Sequence, residues 1–128
     1  MATVELNEEN LVTTIEGNGT VFIDFWAAWC GPCRMFAPVF EAASEKYPDA
    51  VFAKVDTEAH QSIASGLDIQ AIPTLMAFRE GILVYREAGA MNAQGFGELV
   101  DAVQALDPEE LRAQVAEAEA QAGAPASN

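Results

Sequence analysis

Two cysteines occur in this chain, Cys30 and Cys33, separated by Gly31 and Pro32 and preceded by Trp29. Their closeness decides how they can be used. A bridge between them closes so short a loop that chain entropy credits it with only about 2 kcal/mol, toward the low end for disulfides. The pair is poorly placed as a structural staple and well placed as a reactive one. If Pro32 occupies the first turn of a helix, where proline fits, Cys30 stands just outside the helix N-terminus. Unpaired backbone N–H groups and the helix dipole stabilise a thiolate there. Cys33, three residues on, lies on the same helical face within bridging reach. The arrangement suits disulfide exchange, with Cys30 attacking a substrate disulfide and Cys33 resolving the mixed disulfide. Zinc fits poorly, because a structural site needs about four protein ligands. Beyond the cysteines the chain offers only His60, which follows an acidic turn and reads as a surface residue.

Asp24 is the second chemical signal. Its same-face neighbours on a strand are Phe22 and Trp26, so the carboxyl faces an apolar layer. Burial raises a carboxyl pKa, and such a group can accept a proton near neutral pH. The competing reading is an Asp at a locally wet sheet end. Lys54, in the next expected strand, either lies beside Asp24 and partly offsets its burial or snorkels at the surface; the residues alone leave both open. The third signal is Ile72-Pro73-Thr74 before a strand. Proline at a strand entry is ordinary, and local chemistry alone gives the cis bond roughly one chance in twenty.

The elements that must position these residues follow from alternation and turn signals. Residues 3–6 suit a short strand. A helix capped by Asn7 is expected to run to about Glu16 and stop at Gly17-Asn18-Gly19. VFIDFW at 21–26 is short and apolar on both faces, as a buried central strand requires. A helix is expected from Pro32 to Tyr47, burying Phe36, Val39, Phe40 and Ala43 and kinked at Pro38. Residues 50–55 read as a strand and 58–66 as a modest helix closing at Gly66. TLMAF (74–78) and ILVYRE (82–87) flank Arg79-Glu80-Gly81 as a hairpin. Asn92 caps a last core helix through about Leu106, with Phe96, Leu99, Val100 and Val103 at helical spacing. The order is that of an α/β protein, a mixed sheet covered by helices on both faces. Residues 107–128 differ, with a net charge of −4, a thin stripe of Leu111 and Val115, and an Ala/Glu/Gln remainder. They read as an extension, a loosely docked or solvated helix with a frayed end, outside a 1–106 domain.

Composition narrows the function classes. The 128 residues are 51% hydrophobic, enough for one packed core. Twenty acidic residues against six basic ones give a formal charge of −14 and a pI near 4.1. That balance disfavours nucleic acid and anionic membrane, both of which recruit Lys and Arg. No stretch approaches the roughly 20 apolar residues of a membrane span, and MATVELNEEN lacks the features of a secretory signal. A cytoplasmic protein is expected.

WCGPC after VFIDFWA, IPTLMAF some forty residues later and EAGA at 87–90 together resemble the thioredoxin family over about residues 3–106. The resemblance implies the thioredoxin fold, a five-stranded mixed sheet with helices on both faces. It implies that Cys30 is an exposed nucleophile and Cys33 a buried resolving thiol. Asp24 matches the buried carboxylate that assists proton transfer, Lys54 its lysine neighbour, and Pro73 the cis-proline facing the redox pair. Trp29, Gly31, Pro32, Ile72, Pro73, Gly89 and Ala90 match the flat apolar surface that docks partners, with the backbone of Ile72 pairing with bound substrate. Ala88, Arg34 and the extension depart from the usual pattern. The implied activity is protein-disulfide reduction with no bound cofactor, electrons coming from NADPH through thioredoxin reductase. Implied partners are that reductase and disulfide-bearing clients, and a monomer is expected. The other reading is a thioredoxin-fold binding or scaffold subunit that uses the surface around Trp29 and Pro73 without turnover. Cys30, Cys33 and Asp24 argue against it, since a docking module needs none of them.

Overall fold

The computed structural model of the protein describes residues 2–126. The elements run β1 (Thr3–Glu5), α1 (Leu11–Glu16), β2 (Thr20–Trp26), α2 (Gly31–Lys46), β3 (Val51–Asp56) and α3 (Gln61–Gly66). They continue with β4 (Thr74–Arg79), β5 (Ile82–Ala88), α4 (Ala93–Gln104) and α5 (Pro108–Ala126). The five strands form one sheet in the order β1-β3-β2-β4-β5. β1 and β2 run parallel to β3, whereas β4 is antiparallel to β2 and to β5. The sheet is mixed, as expected, and the apolar run at 21–26 is its central strand.

The two faces of β2 feed two cores, because successive side chains point to opposite sides. Phe22 joins Phe52, Phe36, Phe40 and Phe96 beneath α2 and α4. Ring centroids in that cluster lie 5.2–6.0 Å apart, several edge-on, the spacing at which aromatic pairs attract beyond their area. Val21, Ile23 and Phe25 point the other way, toward Ile63 of α3 and Leu11 and Ile15 of α1.

Two helices start later than expected, for one reason. Asn7 Oδ1 accepts the N–H groups of Glu9 and Asn10 at 2.8 and 3.0 Å, so the chain makes a side-chain-closed turn and α1 begins only at Leu11. Asp56 Oδ1 likewise accepts from Glu58 and Ala59 at 2.9 and 3.3 Å, and α3 waits until Gln61. Short polar side chains of this kind offer the backbone an alternative to helix. After α3 the left-handed residue is Asp68, with φ 55°, rather than Gly66. Pro38 lies inside α2, which continues through it to Lys46. Glu80 and Gly81 both have positive φ, which gives the two-residue β4–β5 turn the twist a hairpin prefers. Asn92 caps α4 as expected, its side chain accepting the Gly95 N–H at 2.8 Å.

α5 is a long helix with little cover. Leu111 is half-buried and Val115 exposed, and with Leu106, Gln114 and Ala118 they face Ile82, Leu83 and Val84 across an open groove. The helix reaches Ala126, further than the expected frayed end at GAPASN allows; residues 127–128 lie outside the described residues. Among the described residues no helix is long and apolar enough to cross a membrane.

Candidate active site

The site is assembled where β2 gives way to α2. Cys30 has an extended backbone and is the N-cap of α2, with Pro32 in the first turn. Its sulfur accepts the Cys33 N–H at 3.2 Å, so one of the free donors at the helix N-terminus is already aimed at it. Arg34 clamps the approach loop by donating from Nη1 to the Ala28 carbonyl at 2.8 Å. The cysteines form a disulfide, with Cα atoms 5.2 Å apart.

The Ile72–Pro73 bond is cis. The Ile72 carbonyl oxygen lies 3.6 Å from Cys30 Sγ, and Ile72 packs on the cluster of Ala27, Cys30 and Cys33. Gly89 donates its N–H to the Pro73 carbonyl at 2.8 Å. Its φ of 114° favours glycine on backbone grounds alone. Gly31 is half-buried, and Pro32 and Ala90 are exposed around this centre.

The exposure expected of Cys30 needs correction. Cys30 is not the exposed partner of the pair, since the residue keeps only 4% of its surface against 2% for Cys33. Trp29 instead is the exposed group, at 67%. What distinguishes the two sulfurs is the cap position and the amide donated to Cys30.

Asp24 is fully buried, and neither carboxylate oxygen has a hydrogen-bond partner. It shares the α2 side of the sheet with Phe22 and Trp26, so the reading of a wet sheet end fails. Burial pushes its pKa from the ordinary 3.8 to about 7, while the charge of Lys54 pulls the other way. Lys54 is its register neighbour across β2 and β3. The lysine makes no hydrogen bond to the carboxylate; its Nζ lies 4.8 Å from the centroid of the Trp26 ring.

Sequence reasoning missed two features. The first is that seat for Lys54 on Trp26. The second is a shallow groove of about 190 Å³ beside the disulfide, lined by Trp29, Thr57, Ala64, Ile69, Gln70, Ala71 and Ile72. Its residues come from three separate stretches, so no local pattern announces it. His60 is also more engaged than expected. It is half-buried, with Nδ1 2.9 Å from Glu8 Oε1, and Ser62 donates to the other oxygen of Glu8 at 2.7 Å.

A disulfide-forming Cys-X-X-Cys at a helix N-terminus, beside a cis X-Pro bond and a buried carboxylate, defines a protein of thiol–disulfide exchange. Comparison with known proteins narrows the class. The family model described as Thioredoxin matches residues 2–104. A putative thioredoxin 2 of Streptomyces coelicolor is 48% identical over 122 residues, covering 95% of this chain and 91% of that one. A thioredoxin of Mycobacterium bovis is 38% identical over 109 residues, covering 83% and 94% respectively. Among solved structures, a mutant thioredoxin from Halobacterium salinarum superposes with a TM-score of 0.76 at 32% identity, over 83% of this chain and 94% of that one. The chain belongs to the thioredoxin family. It is a protein-disulfide oxidoreductase whose redox centre is the Cys30–Cys33 pair.

Proposed function

We propose that the reduced protein acts as an electron donor to client disulfides in the following sequence. The Cys30 thiolate attacks one sulfur of a client disulfide; that S–S bond breaks, a mixed disulfide forms, and the first client thiolate leaves. Cys33 gives its proton to the Asp24 carboxylate and attacks Cys30 Sγ. The second client thiolate leaves and takes up a proton, and the protein ends as the Cys30–Cys33 disulfide. Two electrons have passed to the client. The observation that supports this order is the Cys33 N–H held 3.2 Å from Cys30 Sγ, which stabilises negative charge on that sulfur and keeps the resolving residue beside it.

Asp24 suits its role because it is buried without partners and has a pKa of about 7, close to the working range of a proton acceptor. Lys54 modulates it by charge. Trp29, Gly31, Pro32, Ile72, Pro73, Gly89 and Ala90 form the docking surface, and the exposed Trp29 ring supports that reading. Re-reduction comes from thioredoxin reductase drawing on NADPH, and the family works without a bound cofactor. The protein acts as a monomer in the cytoplasm, its activity carried by residues 1–106 and residues 107–128 peripheral to it. The reduction potential tests the direction of flow. A value near about −270 mV supports a reductase, whereas about −120 to −180 mV would place the protein among oxidases or isomerases.

A further inference from the structure

The α2 side of the sheet carries a row of residues in register, Glu5 of β1, Lys54 of β3, Asp24 of β2 and Leu75 of β4. The row ends at Glu87 of β5. Lys54 therefore lies between two carboxylates, one buried and one exposed. A flexible four-carbon stem beside a buried, unpartnered carboxylate would be expected to close on it, because attraction strengthens in a low dielectric. It does not. The ammonium rests over the face of Trp26, and both Asp24 oxygens stay free of hydrogen bonds. Trp26 stands two residues beyond Asp24 on the same face, and its other contacts reach the Ala27, Cys30 and Cys33 cluster. One side chain thus meets the lysine and packs on the cluster that holds the redox pair.

We propose that Trp26 is a positioning residue, whose ring seats the Lys54 ammonium away from Asp24 so that the two interact through space and never as a contact ion pair. The proposal rests on the reading of Asp24 as proton acceptor. A contact pair would hold the carboxyl ionised well below neutral pH and make its proton too easily lost. A seated ammonium moderates the effect of burial without cancelling it. The other charges around Asp24 leave Lys54 as the one cation in its row. Asp56, register neighbour of Trp26, has an oxygen occupied by two backbone N–H groups. On α2 Cys33 is held in the disulfide, Arg34, Glu45 and Lys46 are exposed and Glu41 is half-buried. Glu98 and Asp101 of α4 are exposed.

The test follows the Asp24 carboxyl directly, by its carbon NMR titration in the oxidised full-length protein. Trp26→Leu should lower the Asp24 midpoint by about one pH unit as the freed ammonium closes on the carboxylate. Trp26→Phe keeps a ring and should stay near the parent value. Lys54→Met should raise the midpoint, and adding Trp26→Leu to it should change nothing more, an outcome that general loosening of the strand would not produce. An unchanged or raised midpoint in Trp26→Leu, or an equal drop in the Lys54→Met background, overturns the proposal. If Trp26→Leu fails to fold, Trp26→Phe against Trp26→Met decides the same point. Single-turnover reduction rates against pH separate the two readings. A moved carboxyl midpoint with an unmoved rate profile leaves the seat in place and removes Asp24 from proton transfer.

Discussion

Replacing Asp24 with alanine should stabilise the oxidised protein at alkaline pH and slow it as a reductase. The folded pKa of about 7 lies above the ordinary 3.8, so the native state holds this proton more tightly than the unfolded chain does. Stability from this group is complete below the unfolded pKa and is lost as pH rises through the folded one. The window therefore runs from about pH 4 to about pH 7. A shift of roughly three units at about 1.36 kcal/mol each puts the full loss near 4 kcal/mol above pH 7. At pH 5 only about 1.6 kcal/mol of it has developed. Alanine removes the whole dependence and adds a cavity term of about 1 kcal/mol, since few atoms are deleted. Urea melts should then show a gain of about 3 kcal/mol at pH 8 and little change at pH 5. The same substitution removes the proposed base for Cys33, so resolution of the mixed disulfide should slow near neutral pH. A variant that is less stable at pH 8, or whose stability change is equal at both pH values, would refute the reasoning.

Cys33→Ser should leave attack by Cys30 intact and block resolution, so clients accumulate as mixed disulfides visible by mass spectrometry; trapping by Cys30→Ser instead would reverse the two roles. Asn92→Ala should cost about 1 kcal/mol in a denaturant melt, because its side chain caps α4 at the Gly95 N–H; no change would mean that water replaces the cap without loss. Deleting residues 107–128 should leave disulfide reduction within tenfold, or about 1.4 kcal/mol, since α5 faces Ile82, Leu83 and Val84 and none of the docking residues. A larger loss would bring the helix into the working surface.

Strand identity was legible because the sheet is central and buried. VFIDFW could be nothing else with both faces covered, and the hairpin was marked by Glu80-Gly81. Helix starts were less legible, since Asn7 looks like an ordinary cap, yet it and Asp56 close turns of their own and delay the first helical residue. In the site, the local features could be read: the Cys30–Cys33 spacing and the alternation that buries Asp24. What depends on three dimensions could not. Whether Lys54 meets Asp24 or solvent turned on the Trp26 ring beside it, and the groove under Trp29 draws Thr57 and Ile69 from distant stretches. Nor does spacing report that Cys30 is almost as covered as Cys33.

That last point bears on the proposed exchange. In the disulfide form Cys30 keeps only 4% of its residue surface. On the proposed docking surface a client would present its disulfide beside Trp29 and the Ile72–Pro73 segment, whose carbonyl stands 3.6 Å from the sulfur. Binding that orients the client before exchange would lower the barrier by removing freedom in advance. The fold can carry the other demand, an ionisable group buried without partners, because the same face holds five packed phenylalanines. Burying each one is worth about 1.5–3 kcal/mol, so together they exceed the roughly 4 kcal/mol that ionised Asp24 costs. The aromatic core stabilises the very layer that the buried carboxyl weakens, which is why the fold can keep Asp24 there.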